Sequence, residues 1–323
     1  MISTRLTEFF RIQHPILSAP MAFAAGGSLA SSVTNAGGLG FVGGAYGDHD
    51  WLDTQFTLAG NVSVGCGFIT WNLENALEAD PKLLETLLAK RPAAMFLSFG
   101  DPSPYAKLIA AAGVPLICQI QTIADAKRAI DIGAAVVVAQ GSEAGGHGLH
   151  RATMTIVPEV ADELSRQNSE TLLCAAGGIA DGRGLAAALM LGADGVVVGS
   201  RLWASEEALV HPNMLKAALQ AIGDDTLRSS VMDVARHLKW PEGYTARVLK
   251  NSFTDRWHDN IEGLLKQADQ QAIEWKNAWI EGDMTIANTF VGEVAGLIDE
   301  VLPAAKIIEA MVEEAENRIS HFS

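Results

Sequence analysis

The sequence predicts an α/β fold, a (β/α)8 or TIM barrel with a small helical lobe inserted after its eighth strand. Three observations carry that prediction. Short apolar runs alternate with helical segments from residue 15 to residue 202. Two of the strand–helix units echo each other. The alternation then stops after Arg201, where the chain becomes Trp-rich and loses strand-like runs.

The runs are residues 15–21, 39–44, 62–69, 93–100, 115–121, 134–141, 171–179 and 195–202. They are rich in Val, Ile and Leu and barely alternate, as strands covered on both faces do. Spacers of about 10–20 residues separate them, with helical periodicity clearest at 73–90 and 185–191. Eight such units in succession point to a closed parallel barrel. An open doubly wound sheet is the rival, but no GxGxxG follows the first run. The echo lies between 126–141, AKRAIDIGAAVVVAQG, and 185–200, LAAALMLGADGVVVGS. Each holds a helix, a Gly (Gly133, Gly192), a valine-rich strand and a small or polar strand end. Residues 211–283 show no convincing strand and read as helices and loops, with Trp240, Trp257, Trp275 and Trp279 among them. From Met284 a small apolar stretch, MTIANTFVGEVAGLI, leads into a final helix that closes the eighth unit. The domain reading is therefore a barrel from residues 1–212 and 284–323, with 213–283 inserted as a lobe over one barrel mouth.

Composition narrows the function. Hydrophobic residues are 49% of 323 and charged residues 19%, which suits a packed core and excludes disorder. A net charge of −15 opposes binding to nucleic acid or to an anionic membrane. No uncharged apolar run reaches the roughly 18 residues of a membrane span. Residues 1–11 lack the apolar core of a signal peptide, so a cytoplasmic protein is expected. Cys66, Cys118 and Cys174 form neither a disulfide framework nor a zinc motif. They sit in apolar runs and read as small core residues.

A barrel places its chemistry where strands end and helices begin. The first strand end gives Ala19-Pro20-Met21, where Pro20 fixes the backbone and removes an N–H. The sixth gives QGSEAGGHG, residues 140–148, the most informative stretch. Its glycines let backbone approach a flat ring or a phosphate. His147, in their midst, is the side chain best suited to moving protons near neutral pH. His150 reads as a surface loop residue. No Cys or third His completes a metal site with these two, so no metal is expected. The seventh end gives Gly177 and Gly178, and the eighth Gly199 and Ser200. Loops after the last two barrel strands often bind phosphate, and these amides with the Ser200 hydroxyl suit one. The residues alone thus indicate a phosphate-bearing ligand beside His147.

QGSEAGGHG, CAAGGIADGRG and VVVGSR, in that order, resemble the nitronate monooxygenase family, and so does the N-terminal APMAFAAGGSLASSVTNAGGLGFVGGAYGD. The resemblance covers roughly residues 1–212 and returns weakly at MTIANTFVGEVAGLI. It implies a (β/α)8 barrel with noncovalently bound FMN, acting on a small-molecule nitronate with dioxygen to yield a carbonyl compound and nitrite. It implies Pro20 and Met21 against the isoalloxazine, and Gln140, Gly145 and Gly146 in contact with FMN. Gly177, Gly178, Gly199 and Ser200 would hold the phosphate. His147 matches the family's base for the α-proton of a neutral nitroalkane. Where relatives often carry Asn in the third strand, this chain has Gly67, which offers backbone only. Gln119 and Gln121 are further candidates for the ring, and Trp71 for the floor of a substrate pocket. FMN-dependent enoyl-ACP reductases and NADH:quinone reductases share the loop, so an NAD(P)H-dependent reductase is the alternative. The resemblance assigns no oligomeric state.

Overall fold

The structure is a computed structural model that describes residues 2–321. Its strands in chain order are β1 Ile16–Ser18, β2 Phe41–Ala45, β3 Gly65–Ile69, β4 Met95–Ser98, β5 Leu116–Ile120 and β6 Val136–Gln140. Then follow β7 Gly146–Gly148, β8 Leu172–Ala176, β9 Gly195–Val198, β10 Thr226–Ser229 and β11 Thr245–Leu249. β1–β6, β8 and β9 form one 8-stranded sheet. Each lies in its predicted run, β2 overrunning it by Ala45. Neighbours follow chain order from β2 round to β9, all parallel, and β9 then pairs with β1. Leu17 of β1 also bridges Leu39 at the foot of β2, which brings the two edges of the sheet together. This is the (β/α)8 barrel.

The barrel interior is packed, not hollow. Leu17, Phe41, Phe96, Ile117 and Val138 are fully buried in it. Phe41 and Phe96 meet edge to face, with ring centroids 5.5 Å apart. Alternate residues of the same strands, such as Val42, Cys66, Val137 and Ala175, face outward into a second core beneath the helices. Both faces are covered, so the runs lack alternation. Leu6, from the helix Arg5–Phe10, joins the inner cluster and plugs the foot of the barrel. Arg5 anchors that helix through paired hydrogen bonds to Asp194 at 2.9 and 2.8 Å. All three cysteines are buried and free.

One expectation is refined and one needs correction. The helical stretch at 73–90 is two helices, Thr70–Ala79 and Leu83–Ala89. Pro81 lacks an N–H and drives Asp80 out of helical geometry, so the first helix stops there. The lobe also contains strands. β10 and β11 pair antiparallel, and β11 pairs antiparallel with β7 from the Gly-rich loop. Strands of four or five residues are too short to leave a periodic signal, and β11 meets its second partner, β7, about a hundred residues back in the chain.

The final helix, Ala304–His321, packs on the helices Gly182–Met190 and Gly27–Asn35. That is the place of the eighth barrel helix. The approach is close: a Cβ on Gly182 would sit 2.4 Å from the Ala315 amide nitrogen. Among the described residues, no helix is long and apolar enough to cross a membrane.

Candidate active site

A cavity of about 550 Å³ opens at the strand C-termini, between the barrel and the lobe. That size suits a cofactor-sized ligand. Pro20, Met21, Gly67, Gln119, Gln140, Gly145, Gly146, His147, Gly177, Gly178, Gly199 and Ser200 all line it, whereas Gln121 and Trp71 do not. Arg236, Trp240, Trp275 and Trp279 come to it from the lobe.

His147 lies in β7, directly opposite Ala246 of β11. Its Nε2 is 2.9 and 3.0 Å from the two carboxylate oxygens of Asp233. Both side chains are buried, at 9% and 4% exposure. A carboxylate only accepts, so Nε2 carries the proton and Nδ1 is the basic nitrogen of the neutral ring. Burial holds the imidazole below its usual pKa. The hydrogen bond and charge of Asp233 oppose that shift without cancelling it, and Arg236 and Arg228 add to it. The ring is therefore neutral, and competent as a base, at neutral pH. Trp240 stacks on it with centroids 3.4 Å apart and planes within 5°.

Two guanidiniums of the lobe brace the loop that carries His147. Arg228 donates to the Ser142 carbonyl at 3.2 Å and to the Gly148 carbonyl at 2.7 Å. Arg247 donates to the same Ser142 carbonyl at 3.0 Å and pairs with Glu293 at 2.8 Å. Burial pulls the Arg228 guanidinium down to about 10, so it stays charged at neutral pH.

Below His147 the Gln140 amide is held from both ends. Its Oε1 accepts from Gln119 at 3.0 Å and from Gln121 at 2.6 Å, and its Nε2 donates to the His147 carbonyl at 3.2 Å. Gln119 faces the cavity. Gln121 does not line it; it stands behind Gln140 and accepts from the Tyr244 hydroxyl at 3.3 Å. Trp71 packs edge-on behind Tyr46 and Trp240 rather than lining the cavity. His150 is exposed.

The glycines divide into two roles. Gly67 and Gly145 let chain segments meet. A Cβ on Gly67 would lie 2.5 Å from the Pro20 ring, and one on Gly145 would lie 2.7 Å from the Gly292 nitrogen. Gly177 and Gly178 instead adopt φ of +97° and +74°, which turns the β8 end back on itself. Gly199 is less crowded: a Cβ there would make van der Waals contact with the Ala19 Cβ at 3.7 Å. Ser200 Oγ accepts from the Gly292 amide at 2.9 Å, which leaves its own proton free to be donated. Together these backbone turns make a concave surface that could hold an anionic group.

Sequence reasoning missed Asp233, Arg236 and the role of Trp240. One signal existed for Asp233: a single carboxylate inside the apolar run Val231-Met232-Asp233-Val234 must be paired if buried. It also missed that the returning segment at 290–294 contributes Phe290 and Val294 to the cavity.

Comparison with known proteins bears on the family and the fold. Residues 3–65 and 67–314 match the nitronate monooxygenase family. The chain is 33% identical over 357 aligned positions to a nitronate monooxygenase of Neurospora crassa, covering 98% of this chain and 93% of that one. Among solved structures, FabK from Thermotoga maritima superposes with a TM-score of 0.83 at 30% identity, covering 100% and 99% of the two chains. A nitroalkane oxidase from Streptomyces ansochromogenes superposes with a TM-score of 0.80 at 23% identity, covering 98% and 100%, and so shares the fold.

Proposed function

Since the chain belongs to the nitronate monooxygenase family, we propose that it oxidises alkyl nitronates with dioxygen to carbonyl compounds and nitrite, using FMN bound in the cavity. The observation that carries the reading is a neutral, carboxylate-oriented His147 in the same cavity as the glycine cradle.

The residues present fit FMN. The backbone of Gly177, Gly178 and Gly199 and the Ser200 hydroxyl would hold its phosphate at the cavity wall. Pro20, Met21 and the Gly67 backbone would lie against the isoalloxazine. Gln119, Gln140, Gly145 and Gly146 would meet its polar edge. Bound FMN supplies the electron acceptor that no side chain here provides.

The chain's own part is binding and proton handling. His147 Nδ1 takes the α-proton of a neutral nitroalkane, and Asp233 stabilises the imidazolium that results. A nitronate arrives already deprotonated, and His147 then positions it. The aromatic wall around Trp240 keeps water from the reacting carbon.

The test is anaerobic mixing of the purified yellow protein with NADH in one cuvette and with a preformed alkyl nitronate in another. Flavin bleaching by nitronate, with NADH inert, is expected. Bleaching by NADH with nitronate inert overturns the reading and assigns the enzyme to the NAD(P)H-dependent reductases.

A further inference from the structure

The lobe brings a cation into the cavity that the chemistry above leaves unused. Arg236 caps the C-terminus of the helix Val231–Ala235 and lines the cavity beside His147. Its guanidinium carbon lies 5.5 Å from the Trp275 ring centroid and 5.8 Å from that of Tyr46. Two aromatic walls thus hold the charge in place. Among the described residues no carboxylate lies within ion-pair distance of it, although the acidic Asp233 is three residues away. Asp233 is committed to His147. The Arg236 charge is felt at both neighbours: it lowers the pKa of His147 and opposes the burial that raises the Tyr46 phenol.

A partly buried cation costs desolvation that only an anion offsets well. The guanidinium fork is planar and matches a planar anion with two oxygens. A nitronate shares one negative charge between two coplanar oxygens, as a carboxylate does. We infer that Arg236, set between Tyr46 and Trp275, recognises the planar two-oxygen anion of the ligand and makes this cavity select anionic over neutral molecules. The inference rests on the proposed function only for naming that anion as a nitronate.

The experiment titrates the holoenzyme with butyrate and with its uncharged isostere butyramide, read by tryptophan fluorescence, since Trp240 and Trp275 flank the site. Butyrate is expected to bind about 10- to 100-fold more tightly, the range for a charge-assisted hydrogen-bonded contact. In Arg236→Gln that preference should shrink to about 2-fold or less, with flavin content unchanged. In Arg236→Lys, a point charge without the fork, it should fall between the two. Equal binding of butyrate and butyramide by the native protein overturns the inference. So does a preference that survives in Arg236→Gln or, if that variant does not fold, stays undiminished in Arg236→Lys.

Propyl-1-nitronate turnover then distinguishes the source of the anion. A raised KM with kcat retained in Arg236→Gln assigns the contact to the nitronate group. An unchanged KM alongside lost butyrate binding assigns it to a carboxylate elsewhere on the substrate. Because charge preference is a binding constant, it can hold even where nitronate oxidation fails, and the two claims fall separately.

Discussion

Asp233→Asn isolates what a carboxylate does for His147. The change is isosteric at a site of 4% exposure, so packing is kept and only charge and hydrogen-bond polarity alter. Two consequences follow. The imidazolium loses its counter-charge, so the ring, already held below its usual pKa by burial, drops further. The amide can also donate to Nε2, which moves the ring proton to Nδ1 and removes the basic nitrogen. A hydrogen bond to a charged group contributes about 1.5–3 kcal/mol, so kcat/KM for a neutral nitroalkane should fall about 10- to 100-fold. The sign of the pH effect is fixed. The base form exists above the His147 pKa, so activity on the neutral substrate is lost as pH falls through it. In the native protein that acid limb lies below the ordinary histidine value of 6.5. In Asp233→Asn it moves lower still. Oxidation of a preformed nitronate, which needs no proton removed, should change by less than about 3-fold. Stopped-flow rates on both substrate forms across pH measure all of this. An acid limb that stays where it was, or equal losses on both substrates with flavin retained, would refute the assignment of Asp233 as the positioning residue.

Three further substitutions test separate parts of the structure. His147→Asn should keep the flavin and abolish most turnover of neutral nitroalkanes while sparing preformed nitronates; flavin loss, measured by absorbance, would count against its role as a base. Gly178→Ala places a Cβ 3.4 Å from the Glu143 Cβ, which the site tolerates, but forces a φ of +74° on alanine at a cost of about 1–2 kcal/mol. Its flavin dissociation constant should rise roughly 5- to 10-fold in a fluorescence titration, and an unchanged constant would exclude Gly178 from the cradle. Phe41→Ala empties a fully buried position against Phe96 and should cost about 3–5 kcal/mol in urea unfolding, with flavin affinity of the folded protein unaltered.

The barrel was legible for a physical reason. Strands such as Val136–Gln140 and Leu172–Ala176 are buried on both faces, so no position along them tolerates charge, and the run shows in the sequence itself. His147 was legible because glycines with no helical or strand logic surround it. Asp233, Trp240 and Arg236 were not, because each matters only through a partner far away in the chain. Asp233 is 86 residues from His147. No local pattern encodes that separation, and Val231–Ala235 reads as one more short helix.

The missed elements share one logic. His147 leaves the barrel in a strand, β7, whose antiparallel neighbour β11 belongs to the lobe. Arg228 and Arg247, one on β10 and one on β11, both hold the Ser142 carbonyl at the base of the same loop. Asp233 then sets the ring nitrogen, and Trp240 covers its face. The barrel therefore supplies the glycine cradle and the backbone that delivers the histidine, while the lobe decides where its proton sits. A barrel without the lobe would keep the cradle but lose the orientation of the base. Under the proposed function, anionic-cofactor binding and proton abstraction fall to different parts of the chain, joined where β7 pairs with β11 and where Arg228 and Arg247 hold the Ser142 carbonyl.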